Sequence, residues 1–137
     1  MKKIARGVFL LFVMGVAART ASAASACDNV DRSLTNNGKA ALAPVIARQL
    51  HAQKVDVLQS FRLDGWTILY VDSHEADEAF LFCSHDPLRT RYITMWSGAA
   101  ARNEEQSIGA WTLKNAQGIP PKLASCFAWY VTNDRKQ

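Results

Sequence analysis

FLFCSHDPLRTRYITMWS, residues Phe80 to Ser97, reads as two apolar strands joined by a short polar loop. Phe80, Leu81, Phe82 and Cys83 form a run too apolar to leave in water. Tyr92, Ile93, Met95 and Trp96 form a second, rich in β-forming side chains. Between them His85, Asp86 and Pro87 make the centre of a loop that also carries Ser84, Leu88, Arg89 and Arg91. A strand pair presenting a polar loop stiffened by proline is a platform for recognition.

Upstream, residues 55–63 alternate, with Val55, Val57, Phe61 and Leu63 on one side and Asp56 and Arg62 on the other. Asp64-Gly65 is a hairpin turn signal, and residues 66–71 return as a second strand. A polar connection, DSHEADE, leads to the strand at residues 79–83. Before the sheet, Leu42, Val45, Ile46 and Leu50 recur at helical spacing, which predicts a helix over residues 39–53. Pro44 fits only in a first turn, so regular helix is expected from about Ala43, with His51 as a solvated residue at its end. Downstream, the strand at residues 91–96 is followed by a polar loop, then by a fifth strand at residues 108–113 containing Trp111. Pro120 and Pro121 precede a final helix over residues 122–131, with Leu123, Phe127 and Tyr130 facing the core. The expected fold is α+β: a five-stranded antiparallel meander sheet with an N-terminal and a C-terminal helix packed on it.

The chain has 137 residues, enough for one domain. Residues 1–23 have the three zones of a secretory signal: a basic start at Lys2, Lys3 and Arg6, an apolar stretch, and Ala21-Ser22-Ala23 before a cleavage point. The apolar stretch is about a dozen residues, short of the roughly 20 that span a bilayer. Ala24-Ser25-Ala26 offers a second cut, just before Cys27; with Arg19 between Cys27 and the apolar stretch, secretion is expected rather than lipidation. A single domain over residues 24–137, located in the periplasm and free of the membrane, is therefore expected. Of the 16 basic residues, Lys2, Lys3, Arg6 and Arg19 leave with the signal, so the remaining twelve balance the 12 acidic residues. The basic balance of the whole chain thus carries no argument for nucleic acid, and no basic cluster interleaved with aromatics follows the signal.

Three cysteines, Cys27, Cys83 and Cys126, allow one bridge in an oxidising compartment. Cys83 ends a core strand and Cys126 lies in an apolar helical run, so the pair Cys83–Cys126 is expected first. Cys27–Cys126 is the alternative, and three buried thiols a third reading. Spacing and neighbours offer no zinc site, and no cofactor is expected. Asp72, His74, Glu75, Asp77 and Glu78 include ligand types for a hard cation, but match no calcium loop and read as a solvated turn. His85 and Asp86 with Ser84 or Cys83 as nucleophile would make a catalytic set. Adjacent loop residues seldom face one another, however, and neither a glycine-rich oxyanion element nor a nucleophile elbow accompanies them, so no enzyme is expected.

The segment HDPLRTRYITMWS resembles one in the family of inhibitors of vertebrate-type lysozyme, the Ivy family, where a CKPHDC loop and a short basic stretch lead to a strand ending in Met-Trp-Ser. His85, Asp86, Arg91, Met95, Trp96 and Ser97 fall in register with it, and Gly109-Ala110-Trp111 echoes its later Gly-Leu-Phe strand. Two departures stand out: Pro87 takes the place of the second loop cysteine, and Cys83 is one residue too close to His85 to match the first. No disulfide closes this loop, so Pro87 and the strand pair must preorganise it. The resemblance implies a plug, with His85 entering the cleft of a lysozyme or related peptidoglycan hydrolase and meeting its two catalytic carboxylates. On this reading the target-binding residues are Ser84, His85, Asp86, Pro87, Leu88, Arg89 and Arg91. Asp86 is expected to hold His85 or the loop backbone. An immunity protein against a cell-wall-degrading toxin would share the architecture. A small-ligand-binding module, with Trp66, Trp96, Trp111 and Trp129 as pocket walls, is the reading from another class, and a second copy of the chain is a further candidate partner.

Overall fold

In β2 (Trp66–Asp72) and β3 (Ala79–Cys83) nearly every residue is buried, on both faces, and this double burial organises the molecule. The computed structural model describes residues 25–135, and the expected signal at residues 1–23 lies outside them. With β1 (Asp56–Leu63) and β4 (Thr94–Ser97), these strands form a four-stranded antiparallel meander in the order β1-β2-β3-β4. Trp66, Ile68, Tyr70, Phe80 and Phe82 point to one face, and Leu69, Val71, Ala79 and Leu81 to the other. A sheet apolar on both faces needs a cover on each.

The first face is covered by α2 (Glu105–Asn115) and α3 (Pro121–Trp129), the second by α1 (Asn36–Leu50) through Leu42, Ile46 and Ala47. The α+β class thus holds, but among the described residues the expected five strands are corrected to four, and two helices to three. The stretch expected as a fifth strand is the body of α2. Ile108, Thr112 and Ala116 are buried at a spacing of four, and the Thr112 hydroxyl donates to the Ile108 carbonyl (2.8 Å). Glu104 accepts from the Ala101 N–H (2.6 Å) at the entry to this helical region, and Lys114 suits its last turn. A helix lets this stretch cover Phe82 with Trp111, ring centroids 5.9 Å apart, where another strand would leave the face open.

Helix α1 begins earlier than expected, at Asn36, capped by Thr35 Oγ1 accepting from the Gly38 N–H (3.0 Å). Pro44 sits inside it, not in the first turn. Pro44 and Ala40, whose carbonyl loses its usual donor, are both exposed, so that carbonyl faces water. His51 ends the helix in the left-handed conformation (φ 55°), exposed as expected.

In β1 the expected single alternation is broken by a bulge at Leu58, between the pairs Val57↔Val71 and Gln59↔Tyr70. Val55 and Val57 therefore lie on the α1 face, and Phe61 and Leu63 on the other. Beyond α3 the chain continues as a wide π-helical turn, Tyr130–Asp134. The bridge expected at Cys83–Cys126 is corrected to Cys27–Cys126, and Cys83 is free and buried. The reason is positional: Cys83 points to the α1 face of β3, away from α3, whereas the segment before α1 runs past α3 and pairs Asp31 with Arg62.

Candidate functional site

The loop at residues 84–93 leaves β3 at the buried Cys83 and rejoins the ladder where the Ile93 N–H donates to the Phe82 carbonyl (2.8 Å). Between these anchors Asp86 shapes the turn. Its Oδ1 accepts from the Leu88 N–H (3.0 Å), and its carbonyl accepts from the Arg89 and Thr90 N–H groups and the Thr90 hydroxyl, each at 3.0 Å. Pro87 is buried under the turn, while His85, Leu88, Arg89 and Arg91 are exposed. Of the alternatives for Asp86, the backbone role is the one observed. The Arg89 Nε lies 3.7 Å from Asp86 Oδ2 at an exposed site, a pair of little energetic weight.

Gln49 of α1 touches the loop, which sequence reading missed. Its Oε1 accepts from the Tyr92 N–H (3.2 Å) and its Nε2 donates to the Thr90 carbonyl (3.4 Å), tying the returning limb of the loop to the helix. A glutamine one residue before the helix end, 41 residues from Thr90, carries no local signal of that role. Exposure also departs from the strand reading: Ile93 is 48% and Met95 44% exposed, and with Leu88 at 46% they put apolar surface around the loop. Met95 lies on β4, the edge of the sheet, and Leu88 and Ile93 lie in the loop before it.

His85 does meet its neighbour Ser84, whose Oγ lies 3.0 Å from Nδ1. That contact engages Nδ1 on an exposed imidazole. A hydrolytic set needs more than a Ser–His contact, and Asp86, spent on its own turn, does not orient the imidazole. Cys83 is free and fully buried, and burial pushes its thiol up to about 12, away from the thiolate form. In the DSHEADE turn, His74 (φ 60°) stands between Asp56 Oδ2 (2.7 Å) and Asp72 Oδ2 (3.3 Å), and the Tyr70 hydroxyl donates to Glu78. Among the described residues, no group of three or more His, Cys, Asp or Glu side chains could hold a metal ion.

The tryptophans proposed as pocket walls belong to the aromatic side of the sheet. Trp66 is buried in it, Trp96 and Trp111 are half-buried against it, and Trp129 is half-buried on α3. No helix among the described residues is long and apolar enough to cross a membrane. Comparison with known proteins finds no matching family model, no matching curated protein and no matching solved structure.

Proposed function

We propose that the protein is an exported, periplasmic inhibitor, not itself an enzyme, that plugs the cleft of a lysozyme-like peptidoglycan hydrolase with the loop around His85. One observation carries the reading: an exposed imidazole stands on a turn whose shape is held by Asp86, Gln49 and buried Pro87, without the loop disulfide of the family it resembles. A turn ordered before binding spends less affinity on being ordered during it. The exposed imidazole has its Nδ1 engaged by Ser84. In a desolvated cleft a charge-assisted hydrogen bond to a catalytic carboxylate is worth roughly 1.5–3 kcal/mol. Leu88, Ile93 and Met95 supply apolar contact around the plug, and Arg89 and Arg91 face acidic groups at the rim.

Titration into chicken-type, goose-type and bacterial muramidases, read as lysis of cell-wall substrate, should give stoichiometric inhibition of one class. His85→Ala should leave the denaturation midpoint nearly unchanged, within about 0.5 kcal/mol, while weakening inhibition ten-fold or more, about 1.4 kcal/mol. Full inhibition by His85→Ala would remove the plug mechanism. No inhibition of any muramidase at micromolar protein would remove the lysozyme target and favour a toxin of the same chemistry.

A further inference from the structure

On the α1 face of the sheet, the α1 helix covers only the end carrying Val55, Val57, Val71 and Leu81. At the other end a cavity of about 540 Å³ opens between the start of α1, the β1–β2 hairpin and the inner side of the His85 loop. Its walls are apolar, formed chiefly by Leu34, Leu42, Leu69, Pro87 and Leu88. Its floor is not. Ser60 (2% exposed) and Thr67 (7% exposed) line it, and among the described residues neither hydroxyl has a hydrogen-bond partner. Both lie on this face by register, Ser60 opposite Leu69 and Thr67 opposite Arg62.

Neither oxygen is sealed in the core: both hydroxyls keep contact with solvent, lie diagonally across the β1–β2 pair, and can donate to or accept from a guest in the cavity. The charges at the mouth are already engaged. Arg62 Nη2 donates to Asp31 Oδ2 (2.7 Å) and to Ser33, and Asp86 is bound to its own turn. The Gly38 N–H, the backbone donor of α1 that lines the cavity, is taken by Thr35. Apolar walls around a few convergent polar groups, in a volume within the roughly 300–1,000 Å³ of small-molecule sites, are the arrangement that binds organic ligands.

We infer that this cavity is a binding site for an uncharged amphipathic small molecule, whose amide or hydroxyl head bonds Ser60 and Thr67 and whose apolar body fills the space beneath Leu88. A charged head would find no unpaired counter-ion on this floor. The inference is independent of the inhibitor reading, because its test follows occupancy of the cavity and not lysis.

The experiment is an amide chemical-shift titration of the ¹⁵N-labelled protein with acetanilide, and with toluene as the same ring without the polar head. Acetanilide should shift the amides of Ser60, Thr67, Leu69 and Leu88 saturably, with a Kd of about 1 mM or below for a ligand of about ten heavy atoms. Toluene should bind at least about five-fold more weakly, as should acetanilide to Thr67→Val, the loss of one net hydrogen bond. Ser60→Ala serves the same purpose if Thr67→Val does not fold. Ala41→Phe, at an exposed position on the cavity wall, should abolish the shifts while the fold persists. Absence of saturable shifts at these residues would overturn the inference. So would toluene binding as tightly as acetanilide, or hydroxyl-deleted variants binding as tightly as the parent.

Discussion

Replacing Cys27 by alanine opens the bridge to Cys126, which joins positions 99 residues apart. In the chain-entropy treatment, a closed loop of about 100 residues removes enough freedom from the unfolded chain to stabilise the fold by about 4.7 kcal/mol. Set against the roughly 5–15 kcal/mol that holds a domain of this size, the loss is about a third of the total at the least. Packing adds little, because alanine replaces a half-buried Cys27, whereas Cys126 is fully buried. Cys83 is the control: it is buried and free, so Cys83→Ala removes one sulfur from the core and costs on the order of 1 kcal/mol. The assay is urea denaturation with and without reductant, alongside a count of free thiols in the denatured, unreduced protein. The parent should show one thiol and lose about 4 to 5 kcal/mol on reduction. Cys83→Ala should lose the same amount, and Cys27→Ala should resemble the reduced parent and ignore reductant. A Cys27→Ala protein as stable as the oxidised parent, or a Cys83→Ala protein indifferent to reductant, would refute the pairing.

Gln49→Ala strips the half-buried Tyr92 N–H of its acceptor and should cost about 1 kcal/mol, with faster hydrogen exchange at Tyr92 but not in β2; unchanged exchange would show that the clamp does not hold the loop. Phe82→Ala should cost about 3–5 kcal/mol, since Phe82 is fully buried with its ring 5.0 Å from that of Phe127, whereas Trp96→Ala should cost less because Trp96 is half-buried; denaturation midpoints in the opposite order would contradict the layering. Hydrogen bonds from the Ser33 hydroxyl and N–H, and then the Arg62 guanidinium, hold the Asp31 carboxyl below its ordinary value. Its contribution is therefore present above the unfolded value of about 3.9 and lost as pH falls through the lower folded value. Asp31→Asn should be less stable than the parent at neutral pH and equal to it in strong acid, and a gap that persists in acid would contradict this.

Much of the sheet was legible because its signals are local. Alternating or continuous apolar runs marked β1, β2 and β3 to within a residue or two, and Asp64-Gly65 turned the first hairpin with φ of 49° and 82°. The α2 stretch was not legible. Ile-Gly-Ala-Trp-Thr-Leu has β-forming side chains and a glycine, and only its position over Phe82 and against α3 selects a helix. Propensity is a weak prior that packing overrides. The bulge at Leu58 is equally silent, because one extra residue reassigns faces without changing which residues are apolar.

The candidate loop divides in the same way. Its composition, with His85 and Asp86 between two apolar runs, and its departure from a cysteine-clipped pattern are properties of the chain alone. What Asp86 bonds lies within its own turn, whereas the grip of Gln49 on Thr90 and Tyr92 depends on where α1 lands on the sheet. The cysteine pairing was open among three choices, and the cavity over Ser60 and Thr67 had no sequence signature. Both are set by residues far apart in the chain: the pairing by the segment before α1 running past α3, the cavity by α1 covering one half of a sheet face and leaving the other half open. Local side-chain chemistry determined which segments form strands and where the polar loop falls. The packing of helices on a sheet buried on both faces decided the partners of its side chains, because burial and pairing belong to surfaces and not to segments.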